Sequence, residues 1–239
     1  MKKVFAICIA LTFLQFSGTA QFGKLLDKGK EIISSESGGN TSEALKQALN
    51  IGVENAVETL SAENGYFGSP YKILIPKDAQ KVISKVQRVP GFQDVEETLL
   101  TKMNQAAEIA AKKATPIFID AIKGMSIKDG MSILMGDKNA ATQYLEKSTR
   151  DNLYKTFLPV IQSSLNEVNA LDYWKDVVGT YNKIPFVKKM NPELDDHVNI
   201  KALDGMFSLI ETKEEGIRGD KSLRSTKLLQ DVFAKQDRN

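Results

Sequence analysis

The residues of this chain best suited to chemistry are one histidine, several paired acids and one polar turn. His197 follows Asp195 and Asp196. A carboxylate beside an imidazole can orient it as a base or join it at a metal. The chain has no second histidine, no HExxH and no GxSxG. A zinc site would therefore have to gather several carboxylates from elsewhere in the fold, and a catalytic pair lacks a recognisable nucleophile. The plainer reading is that Asp195 or Asp196 caps a helical turn and His197 packs nearby. The pairs Glu96-Glu97, Asp195-Asp196 and Glu214-Glu215 suit glycoside cleavage only if the fold holds two carboxyls about 5–9.5 Å apart. Glu211, Lys213, Glu214 and Glu215 read as the wet face of a helix.

The polar turn lies in "SILMGDKNAATQYLEKST", residues 132–149. Asp137-Lys138-Asn139 begins like a calcium loop, which needs glycine at its sixth position and glutamate at its twelfth. Those positions hold Thr142 and Ser148. A phosphate loop needs four residues between its glycines and then Lys-Ser/Thr. Gly124 and Gly130 are separated by five, and Met131 follows. What remains is a joint between two helices, with Gly136 closing one and Asp137 or Asn139 opening the next. A second candidate is "NGYFGSPYKILIP", residues 64–76. Its Tyr66, Phe67 and Tyr71 either pack back onto the core or form a contact patch for a partner, a glycan or a membrane surface.

The elements that must position these residues read as helical nearly throughout. Residues 22–35 carry Leu25, Leu26, Ile32 and Ile33. From Thr41 or Ser42 as cap, Leu45, Leu49, Gly52, Val53, Ala56, Val57 and Leu60 fall on one face at 3.6 spacing. Residues 72–75 are the one short extended piece expected, with Pro76 opening the next helix. A helix follows over 92–114, and Pro116 kinks or restarts it. Ser126 opens another with Asp129 as its capping-box partner. Thr149 is expected to cap a separate helix bent at Pro159. Asp172 starts a short helix with Tyr173 and Trp174. Residues 183–194 are a proline-bearing connector, 199–217 a long helix, and Ser225 starts the last. The expected fold is an all-α, multi-helix bundle of about eight to ten helices with short connections between antiparallel neighbours.

Residues 1–20 read as a cleaved secretory signal, and residues 21–239 as a single helical domain. Lys2 and Lys3 precede an apolar run, and Ser17-Gly18-Thr19-Ala20 supplies small residues before the cut. The run is about thirteen residues, and a membrane span needs roughly twenty. Cleavage would remove two of 32 basic residues, leaving 30 against 30 acidic ones. It would also remove Cys8, the only cysteine, so no disulfide braces the remainder. A near-neutral chain lacks the electrostatic basis for strong nucleic-acid binding. No later segment reaches membrane-span length. No metal and no cofactor is expected, and the chain is read as exported, to the periplasm or beyond the cell.

The segments "ALKQALNIGVENAV", "MNQAAEIAAKKATPIFIDAIKGMSIKDGMSILMGDKNAATQYL" and "LDDHVNIKALDGMFSLIETKEEGIRGDKSLRSTKLLQDVF" resemble, in order, the bacterial exported family catalogued as domain of unknown function 4197. The resemblance implies an all-helical fold and an envelope or secreted setting. It implies no activity, cofactor or catalytic residue. The family usually has Asp-Asp-Tyr where this chain has Asp195-Asp196-His197, which argues against a required base at His197. Within the resemblance, Asp120, Asp137, Thr142, Tyr144, Arg150, Asp204 and Arg218 are polar groups at or beside apolar stripes. Any that are buried need partners. Asp204 and Arg218 lie about four turns apart on one helix face, so they cannot pair with each other and their partners must come from elsewhere. The function expected is a non-enzymatic binding protein for an envelope protein or an apolar small molecule. The alternative is an envelope hydrolase using Asp/Glu acid–base chemistry.

Overall fold

A computed structural model describes residues 39–234, less 168, 191–192, 225–226 and the side chains of 39–41, 78, 228 and 229. The signal over 1–20, the helix over 22–35, the Thr41 cap and the Ser225 helix start lie outside these residues. Nine α-helices and a 3-10 turn account for most of the rest, with no strand among the described residues. They are α1 (Gly39–Ser61), α2 (Lys77–Val86), α3 (Val95–Ala111), α4 (Ala114–Lys123), α5 (Ile127–Leu134), α6 (Ala140–Glu167), α7 (Ala170–Asn182), α8 (Asp195–Gly219) and α9 (Lys227–Phe233). The 3-10 turn, Lys221–Leu223, joins α8 to α9.

Apolar residues spaced at 3.6 set the packing. The long helices α6 and α8 share the most extensive contact, with α3 against α6 and α1 against α4 and α8. Helices α2 and α7 pack together, α5 lies against α1 and α6, and α9 lies on α1. The main core runs through α1, α3, α4, α6, α7 and α8, where Phe118 meets Phe207 edge to face at 5.7 Å. Trp174 is buried in it. A smaller core gathers Leu45, Ile133, Leu134, Ala141, Val232 and Phe233, and Leu49 and Tyr144 pack against both.

Local chemistry explains the helix ends. Ser126 Oγ accepts from the Asp129 N–H at 3.1 Å, and Asp129 Oδ2 accepts from the Ser126 N–H at 3.0 Å, which is the expected capping box. Pro116 restarts rather than kinks. It sits in the first turn of α4, where its missing N–H would have had no helical partner. Pro76 precedes α2 as its N-cap. Helix α1 already runs at Gly39, so Ser42 lies inside its first turn.

Two expectations change. Thr149 does not cap a helix, because α6 is continuous from Ala140 to Glu167. The Thr149 hydroxyl donates to Leu145 O at 2.6 Å, one turn back, so a cap-forming residue spends its bond within the helix. Gly136 does follow α5, but not as a left-handed cap, since the one positive-φ glycine described is Gly91. A Cβ at Gly136 would stand 2.7 Å from Ala140 Cβ and 2.8 Å from Ser132 O, so space demands the glycine.

The extended piece at 72–75 has no strand partner. Asn104, buried on α3, takes that place: Oδ1 accepts from the Ile73 N–H at 2.8 Å and Nδ2 donates to Ile73 O at 3.0 Å. One side-chain amide thus satisfies both backbone groups of a buried residue.

Candidate functional site

The polar turn is held from outside by α8. Glu214 accepts from the Ala141 N–H at 2.9 Å, the Thr142 N–H at 2.8 Å and the Thr142 hydroxyl at 2.8 Å. These are unpaired donors at the start of α6, where a carboxylate is favoured. One turn on, Arg218 Nε donates to Glu214 at 2.8 Å. Its other nitrogens donate to Leu134 O at 3.3 Å and Ile133 O at 2.8 Å, at the end of α5. The Phe233 ring lies 5.2 Å from the guanidinium. The Glu214 and Arg218 side chains are 7% and 6% exposed. Glu214 is therefore not on the wet face expected for Glu211 to Glu215. It follows Ile210 by four residues, on the buried stripe of α8.

Other candidates do not converge on this cluster. Thr142 belongs to it, but Asp137 is exposed in the turn and Asp120 is exposed on α4. Tyr144 is half-buried between the two cores; burial, then the charge of Asp129, raises its pKa. Arg150 and Asp204 form a separate, part-exposed ion pair, with Glu146 2.6 Å from Arg150 and Lys201 2.9 Å from Asp204. Burial opposes the Asp204 charge, but hydrogen bonds from Arg150 and Lys201 outweigh it and hold the carboxyl below its ordinary range.

The aromatic loop divides. Tyr66 is wholly buried, with its hydroxyl donating to Ala202 O at 2.7 Å, so it is a core residue and not a contact residue. Burial, then the Glu108 charge, raises its pKa. Glu108 accepts from the Tyr66 N–H at 3.1 Å and the Phe67 N–H at 3.3 Å. Phe67 lies half-buried beneath Lys72, and Tyr71, also half-buried, reaches Thr212. His197 Nε2 is 2.9 Å from Leu74 O. Asp196 accepts from Tyr154 and Asp195 from Gln162, so the acids beside His197 are engaged away from it. Among the described residues no group of three His, Cys, Asp or Glu could hold a metal, and no helix is long and apolar enough to cross a membrane.

A concave feature lies between α1 and α8. A groove of about 530 Å³ runs past Ile51, Asn55, Glu58, Thr212 and Gly216 and ends at Leu223. It shares Ala48, Gly52, Lys213 and Ile217 with a tight recess of about 40 Å³, floored by Leu49, Val53, Leu145, Ile210 and Phe233. Gly52 faces open space, since a Cβ there would meet nothing within 4 Å. The groove's volume falls in the range of small-molecule sites. Glu214 lines the recess but is tied to Arg218 and to α6, so it serves as wall rather than as a free acid.

A sequence model of the family described as "Protein of unknown function (DUF4197)" matches residues 35–234. The chain belongs to that family. No curated protein and no solved structure matches it. The match spans α1 to α9, so the groove and the Glu214–Arg218 cluster both lie within the DUF4197 region. Sequence reasoning missed three of its buried polar residues: Asn104, Glu108 and Glu214. The available signal was register. Asn104 and Glu108 are four apart beside Met103 and Ala107, and Glu214 continues the row of Met206 and Ile210.

Proposed function

We propose that this DUF4197 protein is an exported, non-enzymatic helical domain that binds an apolar small molecule in the groove between α1 and α8. The observation that carries the reading is a groove of small-molecule size that adjoins, through Ala48, Gly52, Lys213 and Ile217, an apolar recess lined by Leu49, Val53, Leu145, Ile210 and Phe233. The state of the acids supports it. Among the described residues the carboxyls with shifted pKa values are Asp129, Asp204 and Asp220, and all three move down, away from what a general acid needs. Export rests on the sequence of residues 1–20.

Gly52→Leu tests the reading. The added side chain projects into open space from a helix interior, where leucine is favoured over glycine. The fold is therefore kept while the groove fills. The parent protein should bind an apolar fluorophore such as N-phenylnaphthylamine, and the variant should bind at least about tenfold more weakly. Native mass spectrometry of protein taken from its own host should show a bound apolar mass in the parent alone. Equal fluorophore binding by the two proteins would refute the assignment.

A further inference from the structure

The segment after α7 has features that neither the groove nor the core uses. Residues 182–190 read Asn-Lys-Ile-Pro-Phe-Val-Lys-Lys-Met, with no acid. Asn182 closes the segment into a loop: Oδ1 accepts from the Met190 N–H at 3.0 Å, and Nδ2 donates to Met190 O at 3.2 Å. Ile184, Val187 and Met190 turn inward and pack on the main core. Lys183, Phe186, Lys188 and Lys189 turn outward. Phe186 is 108% exposed, with φ +62°. Among the described residues the other two non-glycine residues with positive φ are Asn64 and Asn169, of the type that tolerates this region, whereas phenylalanine does not. A side chain that gains no contact is thus held in a strained conformation by a loop pinned at its base.

We propose that this loop docks the protein on an anionic membrane surface, with Phe186 inserted at the headgroup boundary and Lys183, Lys188 and Lys189 pairing with lipid phosphates. The proposal is independent of the groove and its ligand. Aromatic tips with cationic collars suit the membrane interface, where the ring enters the acyl boundary and the lysines reach the headgroups. Among the described residues the three lysines form no ion pair. The nearest following acids are Glu193, Asp195 and Asp196; the last two are bonded to Gln162 and Tyr154. A protein partner is the less favoured occupant. A stable interface covers roughly 800 Å² on each side, and Phe186 is the single large exposed apolar side chain on this loop.

The test is co-sedimentation of the full chain, free of its expected signal, with phosphatidylglycerol–phosphatidylethanolamine vesicles and with phosphatidylcholine vesicles. The parent should bind the first at low salt and release from them as salt rises. Phe186→Gly should bind at least about fivefold more weakly, while its unfolding midpoint is unchanged or higher because glycine suits the backbone there. Replacing Lys183, Lys188 and Lys189 by glutamine should weaken binding by about fivefold per lysine and remove the salt dependence. Phe186→Trp should show an emission blue shift on adding the anionic vesicles, against a constant signal from buried Trp174. Absence of parent binding, or equal binding by Phe186→Gly, overturns the proposal. So does Phe186-dependent capture of a protein without vesicle binding.

Discussion

Glu214 and Arg218 show how much one pair of side chains can organise. Both are almost fully buried, and between them they satisfy backbone groups at the end of α5 and the start of α6. Removing one partner leaves a buried charge without its counter-charge, at a cost of about 3–5 kcal/mol. Glu214→Ala should therefore lower the urea midpoint sharply. The double variant Glu214→Leu with Arg218→Met should lose less than the two single changes together, and a double-mutant cycle measures the difference. Asp204 makes a pH prediction. Its folded pKa lies below the ordinary 3.8, because the bonds from Arg150 and Lys201 outweigh burial. The stability it contributes is complete above that ordinary value and is lost as pH falls through the lower folded value. Asp204→Asn should be less stable than the parent at neutral pH, with the gap closing below about pH 4; denaturant titration across that range checks it. This residue scale was the least legible in the sequence. Glu214 looks like its charged neighbours until its place on the buried row is counted.

At the scale of elements the sequence was far more informative. The Ser126–Asp129 box, the α1 face and the restart at Pro116 follow from rules acting within a few residues. The failures were of two kinds. Thr149 has a cap-forming side chain, but only the continuity of α6 decides whether it meets an N–H or the carbonyl behind it. The extended piece at 72–75 was visible, but its partner was not, because Asn104 lies 31 residues away on α3. That partner yields a third prediction. Asn104→Ala would leave the buried Ile73 N–H and carbonyl unpaired, and each such group costs about 1–3 kcal/mol. Thermal unfolding should show a loss well beyond that of an exposed Asn→Ala change. Gly136→Ala should destabilise by about 1–3 kcal/mol, because the methyl would meet Ala140 and the Ser132 carbonyl. Gly124→Ala, with its nearest atoms at 3.5 Å and 3.6 Å, is the matched control.

For the whole molecule, the two cores differ in what supports them. The main core draws on long helices and holds Trp174, whereas the smaller one depends on α5 and α9, of eight and seven residues. Helices that short are unstable alone and persist through packing. Phe233 of α9 closes the recess beside the groove and faces the Arg218 guanidinium, which in turn bonds the end of α5. The end of the molecule built from α5 and α9 should therefore open before the rest. Native-state hydrogen exchange should find amides of α5 and α9 exchanging at lower free energy than those of α6 and α8. Phe233→Ala should lower protection in α5 and α9 while leaving Trp174 emission and the exchange of α3 and α7 near parent values. A ligand that reaches the recess should raise protection in α9, whose Phe233 lines it, because binding only the closed form stabilises what opening would lose. Uniform exchange across all helices would instead mean that the two cores unfold as one unit.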